Sequence, residues 1–135
     1  MHAVNESDSL HAKGRDFMEE RIASGEVLYL AWPTLLGFLR LATHPSVFPS
    51  PLSQEDAEAN VSVLLEQRNV RTLSEAPGFW QAYGEVTAEA GPIRAKLVPD
   101  AHVATILRQH GVRRFYTRDR DYRRFDFLDV IDPLA

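Results

Sequence analysis

A chain of 135 residues has room for one compact domain with a single core. Its 44% hydrophobic and 25% charged residues are those of a globular protein. With no cysteine, disulfides, thiolate zinc sites and cysteine nucleophiles are excluded, so any metal is held by carboxylates, imidazoles or carbonyls, which favours Mg²⁺ or Mn²⁺.

In chain order, "SDSLHAKGRDFMEERIASG" predicts an amphipathic helix capped by Ser7, Asp8 or Ser9. Leu10, Phe17 and Ile22 supply its apolar contacts, and Gly25 stops it. The N-terminus is acidic and polar where a signal peptide is basic and then apolar, and no apolar run approaches a membrane span. The expected location is cytoplasmic, with no membrane association.

"EVLYLAW" is a short apolar run that predicts a strand buried on both faces. Pro33 then opens a helix through "TLLGFLRLAT", whose apolar positions nearly encircle it and predict deep burial. The proline-rich "HPSVFPSPLSQ" is a rigid loop, and Ser53 followed by Asp56 caps a helix through "EDAEANVSVLLEQ". "VRTLS" is a second strand. "APGFWQAYGEVTAEAG" is a helix, with Phe79, Trp80, Tyr83 and Val86 on one side read as core and Gly91-Pro92 as its end. "PDAHVATILRQHG" is another helix, with Pro99 ahead of it and Gly111 closing it; "RRFYT" and "LDVIDP" are strands. Short apolar strands alternating with helices define an α/β fold with a parallel sheet, in one domain over residues 1–135.

Chemistry concentrates in "LVPDAHVATILRQHGVRRFYTRDRDYRRF", where an otherwise acidic chain of net charge −4 gathers arginines around Asp100, Asp119 and Asp121. Asp100 lies at a helix entry, and Asp119 and Asp121 follow a strand's C-terminal end. In open parallel sheets these positions share one edge, where ligands bind. Convergent carboxylates need a divalent cation to offset their repulsion, and the flanking Arg118 and Arg120 would draw a phosphodiester chain. The plainer alternatives are an Asp100 helix cap and a solvated turn of alternating charges over "TRDRDYRRF". The histidines have no zinc spacing, no G-x-S-x-G nucleophile elbow is present, and the glycines form no phosphate loop.

This segment resembles the C-terminal half of VapC-type PIN-domain ribonucleases, with a "DAHLAA"-like helix start, a strand and a "T-x-D-x-D-F" turn. "WPTLLGFLRLATHPSVFPSPLSQEDA" and "HAVNESDSLHAKGRDFMEE" are similar to the earlier part of a VapC subgroup. The resemblance implies a PIN-like three-layer fold, a parallel sheet flanked by helices. It implies a magnesium-dependent endoribonuclease, the toxin of a toxin–antitoxin pair, commonly a homodimer and inhibited by a VapB-type antitoxin that docks near "WPTLLGFLR" and "DFMEERI". Asp100 and Asp119 then match metal ligands, Asp121 an auxiliary acid and Thr117 the hydroxyl residue of the same turn; His102 matches the "DAH" position, which is not a ligand.

The family begins with a central strand ending in "D-x-N", whose aspartate is a principal ligand. The chain here starts at "MHAVNE", where that strand should be ending, so the strand is expected to be missing and Met1 to be an internal start, with about ten upstream residues omitted. Gly37 stands where many PIN domains carry a glutamate. Two further readings stand beside the nuclease: a catalytically impaired PIN-like protein that retains antitoxin binding, and, should Asp100 and Asp119 lie far apart, an unrelated small-molecule domain.

Overall fold

The first helix, α1 (Asp8–Ala23), ends where Gly25 takes a left-handed φ of 78°. The Asn69 side-chain amide donates to the Ile22 carbonyl in the last turn of α1 (3.1 Å) and to the Glu26 carbonyl just beyond it (2.8 Å). The Leu28 N–H donates to the Asn69 carbonyl at 2.8 Å. One side chain thus fastens the end of α1 to the entry of β1 (Leu28–Ala31) and the approach to β2 (Val70–Leu73), and these two strands form a two-stranded sheet. The computed structural model describes residues 8–45 and 50–133, with side chains from residue 16 onward. Ser7 and the side chain of Leu10, expected to cap and anchor α1, lie outside the described residues, as does the middle of the proline-rich loop.

The chain divides into two compact units, one ending at Thr72 and the other running from Leu73 to Pro133. In the first, α2 (Trp32–Ala42) has Pro33 in its first turn, where a missing N–H costs nothing. Ser53 caps α3 (Gln54–Leu65) by accepting from the Asp56 N–H at 3.1 Å, as the sequence predicts. Phe38, Ala42 and Ala57 form the core between α2 and α3, with Leu39, Leu52 and Val61 packed against it.

Two expectations of deep burial fail here. In β1, Tyr29 is 48% exposed between buried Leu28 and Ala31, so the strand is half-buried and not enclosed on both faces. On α2, Leu35, Phe38 and Ala42 are buried, but Leu36 is 57% exposed and Trp32 and Leu41 are also exposed. One stripe of the helix faces the core, and the remaining apolar positions form surface.

In the second unit, α4 (Phe79–Ala90) packs on α5 (Leu97–Gln109). Val103 to Leu107 of α5 are buried without interruption. The Thr105 hydroxyl, with no access to water, donates to the Ala101 carbonyl at 2.7 Å, which removes the penalty of burying it. The Gln109 side chain exchanges two hydrogen bonds with the Ala76 backbone (2.9 and 3.0 Å), pinning the loop before α4 to the end of α5. Arg108 bonds Glu89 of α4 at 2.8 Å and lies 5.1 Å over the Phe127 ring. Gly111, at φ 70°, ends α5 as expected and returns the chain to β3 (Arg114–Tyr116).

Strand β3 pairs in parallel with β4 (Asp129–Ile131), in the register Phe115 opposite Val130. The α/β class and the parallel pairing predicted from the sequence are both present. A short 3-10 turn, Arg120–Arg124, links these strands. Val86 is buried as expected, but Trp80 is 80% exposed, its ring nearly parallel to that of Tyr83 at 5.8 Å. Helical spacing placed it on the Tyr83 side of α4 without showing whether anything covers it. Among the described residues, no helix is long and apolar enough to cross a membrane.

Candidate metal centre

Asp100 lies within the first turn of α5, whose cap position is held by Lys96. It is therefore not the helix cap that a lone aspartate near a helix start would usually be. A carboxylate there interacts favourably with the positive end of the helix while its oxygens stay free for another partner. Asp119 and Asp121 come from the turn after β3. The Thr117 N–H donates to the Ile131 carbonyl at 2.9 Å, which fixes the end of β3. The Thr117 hydroxyl accepts from the Asp119 N–H at 3.1 Å, and Asp119 Oδ1 accepts from the Asp121 N–H at 2.9 Å. Thr117 is thus a turn-forming residue, and Asp119 caps the 3-10 turn with one oxygen while its other oxygen stays available.

One carboxylate oxygen from each of Asp100, Asp119 and Asp121 can be chosen so that all three lie within 4.8 Å of one another. Such an all-oxygen donor set suits a hard divalent cation. The electrostatics agree. Asp100 titrates above the ordinary aspartate value, through partial burial first and then the charges of Asp119 and Asp121. A bound cation would relieve that repulsion, so the residues fit the group that the sequence implies.

Two further side chains lie beside this trio, and sequence reasoning passed over both. Tyr122 is buried, and its phenol lies close enough to Asp100 to feel that carboxylate's charge. Burial first and then the Asp100 charge push the phenol far above its usual range. The available signal was the residue type: a tyrosine in an aromatic stretch buries its ring and needs a partner for its hydroxyl. Lys96 places its ammonium 4.0 Å from Asp121 Oδ2 and is 85% exposed.

The remaining candidates are placed differently. Arg118 Nε pairs with Asp132 at 3.4 Å, and Arg120 is exposed at the start of the 3-10 turn. His102 follows Asp100 by two positions, which directs it to another side of α5. There its Nε2 meets Glu75 at 3.0 Å and its ring lies edge-on to Phe79 at 5.5 Å. A backbone hydrogen bond and His102 hold the Glu75 carboxyl below its ordinary value. His102 belongs to the α4–α5 packing.

The PIN domain family matches residues 2–128 of the chain. Over all 135 residues the chain is 36% identical to Ribonuclease VapC48 of Mycobacterium tuberculosis, covering 92% of that protein. It is 27% identical to Ribonuclease VapC37 of the same species over 135 residues, again 92% of the relative. VapC ribonuclease Mb2897 of Mycobacterium bovis is 28% identical over 124 residues, 92% of this chain and 83% of the relative. The chain belongs to the PIN-domain family, and within it to the VapC type.

Proposed function

We propose that the protein is a Mg²⁺-dependent endoribonuclease, the toxin of a type II toxin–antitoxin system, which hydrolyses RNA phosphodiester bonds. The observation that carries this reading is the convergence of Asp100, Asp119 and Asp121 within 4.8 Å, from a helix and a turn distant in sequence. Far-apart aspartates would have favoured an unrelated small-molecule domain. The ribonuclease names of the relatives support the substrate class.

Asp100, Asp119 and Asp121 would hold Mg²⁺, with Mn²⁺ as a substitute. When bound, such a cation lowers the pKa of a coordinated water and offsets charge on phosphoryl oxygens. The chain's own groups bring RNA to that point. Residues 94–124 carry nine Arg and Lys against three Asp, a field that attracts a polyanion into an otherwise acidic protein. Lys96, whose ammonium already faces Asp121, and exposed Arg120 are placed to contact phosphates beside the carboxylates. Arg118 contributes less, because Asp132 holds its guanidinium.

The inhibitory partner in this reading is a VapB-type antitoxin, and the functional form is a cytoplasmic homodimer. Exposed Trp32 and Leu36, one helical turn apart on α2, offer an apolar stripe for a partner helix.

The test is cleavage of a mixed RNA substrate with Mg²⁺, with EDTA, and by Asp100→Asn. Cleavage should require the metal. Replacing groups that merely orient metal ligands costs roughly 10- to 100-fold, and loss of the Asp100 ligand should exceed that range. Cleavage that persists in EDTA would sink the reading. A chain that binds its antitoxin without cleaving RNA would instead be the catalytically impaired form.

A further inference from the structure

We infer that Lys96 couples metal loading to RNA binding: its ammonium is the counter-charge of Asp121 in the metal-free protein and passes to an RNA phosphate once a divalent cation occupies the carboxylate trio. The inference rests on the proposed metal-dependent reading and concerns a residue outside the trio.

Lys96 owes its place to the short segment between α4 and α5. Gly91, at φ 87°, bends the chain out of α4, and Ala95, at φ 49°, turns it again immediately before Lys96. Glycine adopts this left-handed conformation freely, whereas alanine does so at a cost, because its Cβ crowds the carbonyl oxygen. A strained residue of this kind persists only where its surroundings hold it. The Leu97 N–H donates to the Arg94 carbonyl at 3.0 Å, and the Val98 N–H to the Ala95 carbonyl at 3.1 Å. Arg124 donates from Nη1 to the Pro92 carbonyl at 3.1 Å, which fastens the segment to the 3-10 turn that carries Asp121. The backbone therefore sets Lys96 beside Asp121, whatever its ammonium touches.

The side-chain contact is loose. Lys96 Nζ lies 4.0 Å from Asp121 Oδ2, and the lysine side chain is 85% exposed. An ion pair so open to water contributes little, and an ammonium on a flexible four-carbon stem changes partner readily. Asp121 stands with Asp100 and Asp119 within 4.8 Å, so Lys96 faces the charge of all three while no cation is bound. With a divalent cation at the trio that attraction is lost and the ammonium is repelled. It is then free beside a site that RNA would approach with its phosphates. Lys96 thus opposes the cation in the free protein and favours RNA in the loaded one, and by linkage each ligand strengthens the other through it.

The experiment replaces Lys96 with methionine and with arginine in the full chain. The side chain is exposed, so both variants should keep the wild-type circular dichroism. In calorimetric titration without RNA, Lys96→Met should bind Mn²⁺ about threefold more tightly than the wild type, because a like charge has left the site. Its binding of a single-stranded RNA in Ca²⁺, without cleavage, should move the other way. There the affinity should fall and the salt dependence flatten by about 0.7 for the lost phosphate contact. Lys96→Arg should keep wild-type values in both assays. An unchanged RNA slope for Lys96→Met overturns the inference, because the lysine would then serve as counter-charge alone. Lys96→Arg behaving like Lys96→Met also overturns it, since charge would not be what acts. A wild-type chain that binds no Mn²⁺ overturns the metal-dependent reading and this inference with it, whereas Mn²⁺ binding that Lys96→Met leaves unchanged or weakens overturns this one alone.

Discussion

Asp100 carries a conflict between stability and function. Partial burial and two neighbouring carboxylates raise its titration above the ordinary aspartate value. The folded state therefore binds this proton more tightly than the unfolded chain does. Stability of the metal-free protein falls as pH rises from the ordinary aspartate value through the raised one, and the loss persists above it. Asp100→Asn keeps the size of the side chain and removes the repelled charge. In EDTA at neutral pH the variant should melt at a higher temperature than the wild type, with the difference closing as pH falls below the ordinary aspartate value. With saturating Mn²⁺ the order should reverse, because the cation stabilises the chain that binds it. Thermal melts at several pH values with and without the metal check both signs. A lower melting temperature for Asp100→Asn in EDTA would mean that the charge is a net stabiliser.

Individual elements show which sequence signals are local. Ser53 accepts the Asp56 N–H, and its removal should cost about 1 kcal/mol of stability. Urea unfolding of Ser53→Ala measures that loss; an unchanged midpoint would show that α3 is not part of the cooperative unit. Such caps were legible because donor and acceptor lie three residues apart, and so were the helix ends at Gly25 and Gly111, where a left-handed φ selects glycine. Burial was less legible. The apolar residues around α2 predicted an enclosed helix, yet whether Leu36 and Trp32 are covered depends on what packs there and not on their spacing. The same holds for Trp80, which helical spacing grouped with core residues and which is largely exposed. At the site, Asp100 and Asp119 could be paired in advance, since strand ends and helix starts share an edge in this fold class and the VapC resemblance marks both positions. Tyr122 could not be placed near Asp100 on spacing, because the twenty-two positions that separate them are closed only by the fold.

For the whole molecule, the proposed reading asks how a chain of net charge −4 would take hold of a polyanion. The excess of cations over 94–124 supplies a local answer, but a cation already paired with a carboxylate releases little counterion when RNA binds. Arg118 is paired with Asp132 at 3.4 Å, whereas Arg120 stands exposed at the head of the 3-10 turn. The two arginines therefore make different contributions to the salt dependence of RNA affinity. Binding of a single-stranded RNA in Ca²⁺, under conditions without cleavage, should weaken linearly in a double-logarithmic plot against salt. Arg120→Ala should flatten that slope by about 0.7, the value for one phosphate contact on a single strand. Arg118→Ala should change it less, and Arg118→Ala with Asp132→Ala should restore the wild-type charge balance and slope. Equal effects of the two single changes would show that RNA draws Arg118 away from Asp132, so that the phosphate backbone competes successfully with an ion pair formed within the protein. No change in slope from either would place the RNA path elsewhere among the cations of residues 94–124, with Lys96 beside Asp121 the next residue to replace.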